Sequence, residues 1–178
     1  MDKFTDIAAD YLRDIGVLSE ARKELEKTLE QWWKVLVQEK VKSALNNENS
    51  CETSIVENQK ESYMECRVVA NQPMSVKLMD PRTSERPFYT VSLWIGSEPA
   101  RKKLVANCAL QKQIDDIAKT EAEWVGALNW NRTELANRDI EILPDDPEKT
   151  SKQLCVAVVA FFRVVMAHHR ATKHETPA

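Results

Sequence analysis

Glycine is nearly missing from this chain: 3 in 178 residues, none adjacent to another. A phosphate-cradling loop needs several within a few positions, so the common nucleotide-hydrolysing classes are not expected. Cysteine is sparse and dispersed. Cys51, Cys66, Cys108 and Cys155 form no CxxC pair, which argues against a zinc ribbon, and three of them fall on apolar positions of periodic segments. They read as reduced core thiols. The 3 histidines, His168, His169 and His174, gather near the carboxyl end. Adjacent helical side chains point about 100° apart, so His168 and His169 do not converge on one ion, and no cysteine lies near enough in sequence to complete a set. The expected role is a cationic helix end, with no metal and no cofactor.

Neither sign of charge dominates. A net charge of −3 gives no general attraction to nucleic acid or anionic lipid, so nucleic acid is not a favoured partner. The most apolar stretch, Ala157 to His169, is interrupted by Arg163 and falls short of the roughly 20 apolar residues that a membrane span needs. Acids in the opening MDKFTDIAADYLRD replace the basic region of a secretory signal, and a cytoplasmic setting is expected. No GxSxG appears, and the sequence offers no catalytic residue.

What is present is periodicity. Phe4, Ile7, Tyr11 and Ile15 are spaced for a short helix that Gly16 would stop. From Ser19 to about Leu45 a second helix carries Leu25, Leu29, Trp32, Trp33, Leu36, Val41 and Leu45. It would span about 40 Å, longer than one small core covers, so part of it is expected to meet a protein partner or a second copy, with Trp32 and Trp33 at that interface. One of these adjacent rings should anchor the core while the other looks elsewhere. Residues 46–62 are polar and are expected to be a mobile loop.

The period then changes to 2. Met64–Ala70, Met74–Met79 and Tyr89–Ile95 alternate as strands, with a loop through Pro73 chosen to set Val68 opposite Val76 and Arg67 opposite Lys77. Ser97-Glu98-Pro99 opens a helix running to Ala118; strands are expected at Trp124–Trp130 and Arg138–Leu143. Asp146-Pro147-Glu148 opens the last helix, apolar on nearly all sides and therefore buried against the sheet, before a tail at 171–178. The expected fold is one α+β domain over 1–178, with 1–45 helical and 63–170 holding the rest. A mostly antiparallel sheet of about five strands is packed by a long amino-terminal helix, a middle helix and a buried carboxyl-terminal helix.

Two constellations carry chemistry. Arg67, Lys77, Phe88 and Trp94 would share one polar-leaning face of the sheet, where cationic and aromatic groups suit a peptide or a single strand of nucleic acid. Glu65-Cys66-Arg67 with Lys77 and Asp80 is the alternative, a metal-dependent nuclease-like site around Glu65 and Lys77, although Glu-x-Arg replaces the usual Glu-x-Lys and no acid precedes it. The acid pairs Asp115-Asp116 and Asp145-Asp146 read as helix surface and helix cap.

From Leu29 onward the order of signals resembles a small bacterial domain of unknown function, found alone or downstream of restriction-endonuclease-like domains. The likeness rests on Gln31-Trp32-Trp33, Leu110-Gln111-Lys112-Gln113-Ile114-Asp115, Glu123-Trp124, Asp139-Ile140-Glu141-Ile142 and Ala160-Phe161-Phe162-Arg163-Val164-Val165. The first helix and the polar loop before Tyr63 depart from it. The resemblance implies an accessory or recognition domain near restriction and defence systems and supplies no catalytic residues; the expected function is a non-enzymatic interaction or recognition module.

Overall fold

The computed structural model describes residues 3–46, 52–57, 62–68, 72–80, 88–143 and 145–173. Its elements run α1 (Lys3–Trp32), a π-helical segment (Trp33–Glu39), α2 (Lys40–Asn46), β1 (Glu52–Glu57), β2 (Ser62–Arg67), β3 (Met74–Met79), β4 (Phe88–Ile95), α3 (Glu98–Ala106), α4 (Cys108–Thr120), β5 (Glu134–Glu141) and α5 (Pro147–Lys173). The strands form one antiparallel sheet in the order β1-β2-β3-β4-β5. The α+β class, the antiparallel sheet and the buried final helix are as the sequence indicates.

Helix α5 organises the interior. Asp146 caps it, its Oδ1 accepting from the Lys149 backbone N–H at 3.0 Å, and Pro147 needs no donor in the first turn. Leu154, Ala157, Val158, Phe161, Phe162, Val164 and Val165 are buried over more than half of its circumference, and Lys152, Val156, Arg163 and Arg170 keep one exposed stripe. One side lies on β2, β3, β4 and β5; the other meets α2, the π-helical segment and α4. The core-facing strand residues supply the sheet side: Met64 and Cys66, Met74, Val76 and Leu78, and Tyr89, Val91, Leu93 and Ile95. Helix α5 is long and apolar enough to cross a membrane, but in this structure most of its apolar surface is inside the protein.

Several expectations are corrected. Four of the five expected strands stand in the sheet, the last shifted to Glu134–Glu141. The alternation at Trp124–Trp130 is not a strand: those residues form turns, with Gly126 at φ 70°. The fifth strand is β1, inside the segment 46–62 expected to be a loop; its polar residues suit an edge, where no second ladder is required. Helix α1 runs through Gly16 and Ser19 without a break. The middle helix is divided at Asn107, whose Oδ1 accepts from the Leu110 N–H at 3.1 Å and caps α4. Cys108, at that junction, is exposed and not a core thiol.

The β2–β3 register differs by two residues from the expected one. Met64 pairs with Leu78, Glu65 with Lys77 and Cys66 with Val76. A two-residue slip preserves which face each side chain takes, so the apolar pattern alone does not distinguish the two. The charges do: the observed register sets Glu65, not Arg67, across from Lys77. Gln72 ties the end of β2 to α5, accepting from the Val68 N–H at 3.2 Å and donating to the Val165 carbonyl at 3.1 Å.

The tryptophan pair divides as adjacent helical residues must. Trp33 is fully buried, stacked on Tyr89 with ring centroids 6.3 Å apart and planes 11° from parallel, while Trp32 is half-buried. Trp33 therefore belongs to the core and not to an interface. Its indole N–H is buried without an acceptor among the described residues. Trp33→Ala is expected to lower unfolding free energy by about 3–5 kcal/mol, whereas Trp33→Phe keeps the ring contact, removes the unsatisfied donor and is expected to lose less than about 1.5 kcal/mol, as chemical denaturation would measure.

Candidate functional site

Every described helix that touches the sheet in strength does so from the α5 side or at its end. The opposite face is built from alternate residues of β2 to β5: Tyr63, Glu65 and Arg67; Ser75, Lys77 and Met79; Phe88, Thr90, Ser92 and Trp94; then Asn137, Asp139 and Glu141. Register explains its central cluster. Lys77 is flanked by Glu65 on β2 and Ser92 on β4, so its diagonal neighbours are Tyr63 and Trp94. The ammonium lies 4.6 Å from the centroid of each of those two rings. Two aromatic faces on one cation hold the lysine stem upright and fix the charge over the middle of the sheet.

Glu65 is 7% exposed, and its Oε1 takes two hydrogen bonds. It accepts from the Ser75 hydroxyl at 2.7 Å and from the Arg67 guanidinium at 2.9 Å, with Lys77 directly across. A buried carboxylate is tolerable only when compensated in this way. At the other end Thr90 donates to Asp139 at 2.7 Å.

Of the residues expected to act together, Lys77 and Trp94 are in contact, and Arg67 joins them through Glu65. Phe88 shares the face but stands six residues along β4 from Trp94, about 20 Å away, beside Glu141. Tyr63 was legible only through its alternation with Glu65 and Arg67. The alternative metal-dependent site gains little from this geometry: Asp80, three residues past Lys77, takes the opposite parity and is fully buried, and among the described residues no three His, Cys, Asp or Glu groups are close enough to hold an ion.

Other places lack a comparable convergence. A cleft of about 380 Å³ beside β5 is lined by Trp124, Gly126, Arg132, Asn137 and Arg138, with the Arg138 guanidinium 5.9 Å from the Trp124 ring. Asp115 and Asp116 are structural: Asp115 accepts from the Trp130 indole at 2.9 Å, and Asp116 pairs with Lys119.

The histidines are not a uniformly cationic helix end. His168 is buried, with Nδ1 3.5 Å from the Gln72 amide nitrogen. Burial, and secondarily the charge of His169, hold its imidazole down at about 4 against an ordinary value of 6.5. Burial also lowers His169, and His174 lies outside the described residues. The unfolded chain thus takes a proton on His168 that the folded chain refuses. Its contribution is present in full above pH 6.5 and is lost as pH falls toward 4, a change on the order of 3 kcal/mol. Denaturation at pH 7 and pH 4.5 should show this loss, and His168→Gln should flatten the difference. Compared with protein-family models, curated proteins and solved structures, the chain matches none.

Proposed function

We propose that this protein is a non-enzymatic recognition module that takes a polypeptide partner on the sheet face around Tyr63, Lys77 and Trp94. The observation that carries the reading is the two-ring clamp on Lys77, on a sheet face over which no described helix packs. Aromatic groups fixed in position offer large contact area with little entropy left to lose, and the ammonium beside them selects a carbonyl or carboxylate of the partner. Charge favours polypeptide over nucleic acid. The face sets Glu65, Asp139 and Glu141 against Arg67 and Lys77, a net negative balance that repels a phosphate backbone. A reducing, cytoplasmic setting suits the free thiols of Cys108 and Cys155. The resemblance noted in the sequence would set such a module beside restriction or defence systems.

The second reading is a nucleic-acid-associated enzyme using Glu65 and Lys77. Both groups are already engaged by neighbours, so it ranks below binding.

Peptide-library display tests the proposal. Peptides selected on the folded chain are expected to lose at least tenfold in affinity on Trp94→Ala and on Lys77→Ala, with the thermal unfolding profile retained. Equal binding to the variants would remove the sheet face from the account. Metal-dependent cleavage of DNA or RNA that Glu65→Ala abolishes would install the enzymatic reading instead.

A further inference from the structure

Helix α1 has an unusual status within the fold. Every residue from Tyr11 to Lys27 is exposed, and Tyr11, Ile15, Leu18 and Leu25 are between 45% and 69% exposed. Most of the exposed apolar residues of α1 share one line; Leu12 borders it, and Val17 stands off it. Tyr11, Ile15, Leu18, Arg22, Leu25, Leu29 and Trp32 follow one another in steps of 4, 3, 4, 3, 4 and 3, and Phe4 and Ala8 extend the series in sequence. That is a heptad seam of four turns of the repeat, with Arg22 as its one charged position. The seam ends where Leu29 and Trp32 become half-buried at the domain. The ion pairs Glu24–Lys27 and Glu30–Lys34 lie off it, on the wet side. Thirty residues make a helix of about 45 Å, and an isolated apolar seam of that length has no reason to stay in water.

We infer that the occupant is a second copy of this chain, its α1 running antiparallel to the first. Arg22 decides the direction. A parallel pair would press Arg22 against its own copy in the seam, two like charges whose acids are the Glu26 carboxylates that already engage them, with no fresh partner from the other chain. An antiparallel pair centred between Ile15 and Leu18 sets each Ile15 against the other copy's Leu18; in sequence register, positions 25 and 29 fall opposite 8 and 4. Arg22 then meets Tyr11, whose ring and hydroxyl suit a guanidinium, and lies one turn from Asp14. Shifting the register by a heptad either way replaces Tyr11 by Leu18 or Phe4 and leaves part of the exposed seam unpaired. Arg22 is already oriented by Glu26 at 2.9 Å on its own helix. The exposed seam residues still show on the order of 100 Å² each, so pairing covers roughly 1,200 Å² over both chains once the stems beside them are included, within the range of specific dimers. This surface is separate from the sheet face, so each stands or falls by itself.

Light scattering on the full chain at micromolar concentration is expected to give twice 20.4 kDa. Leu18→Glu, at a position 69% exposed in the single chain, should return the mass to monomer without altering thermal unfolding at low concentration. Direction is read by cysteine pairing, in a background where Cys51 and Cys108 are serine. Chains carrying Ile15→Cys mixed with chains carrying Leu18→Cys should form the mixed disulfide in preference to either symmetric one. A monomeric wild-type chain, a dimer indifferent to Leu18→Glu, or preferential linkage of Ile15→Cys to its own kind would each overturn the inference.

Discussion

A helix whose wet side is only the narrow stripe of Lys152, Val156, Arg163 and Arg170 must be enclosed over the rest of its surface, and the architecture follows from enclosing α5. Phe161, Phe162, Val164 and Val165 face outward in successive directions, so a sheet beneath the helix is insufficient and a second layer must lie above it. The π-helical segment, α2 and α4 provide that layer. The helical mass is thereby committed to one side of the sheet. The other face is left to side chains whose polar groups satisfy one another laterally.

That lateral satisfaction explains the composition of the face turned away from α5, whose β2 to β4 residues are half-buried or buried. Ser75 and Ser92 are small enough to lie beneath their long neighbours, and both are buried. Between them stand Lys77 and its two rings, with Glu65 taking hydrogen bonds from Ser75 and Arg67. A face so connected is ordered before any partner arrives, which reduces the entropy that binding must overcome. It also leaves little freedom for proton transfer or ligation, because its acid is already engaged by donors.

The sequence was most informative where one physical demand acted alone. Strands β3 and β4 alternate because one face is dry, and Ser97 and Asp146 mark helix starts because orphan N–H groups need acceptors. It misled where two demands compete. Gly16 and Ser19 suggest a break in α1, but the helix pattern continues through both, and a single glycine costs only about 1 kcal/mol. Trp124, Gly126, Leu128 and Trp130 imitate a strand because each is partly covered, although turns carry them. β1 was invisible because an edge strand with polar residues has no hydrophobic period to read. The face bearing Lys77 and Trp94 could be assigned by parity, which a slip of two preserves; the partnership of Glu65 with Lys77 could not, since it depends on the register itself.

The π-helical segment between Trp33 and Glu39 joins two stretches of helix with different surroundings. Below it, Val41 and Leu45 are fixed against the protein interior; above it, α1 answers to its own repeat. A wider turn at the junction resets the angle at which one stretch leaves the other. The projecting segment is in this sense a lever whose azimuth is set at its fulcrum, and the packing of Trp33 on Tyr89 is the bearing that keeps that fulcrum from rotating.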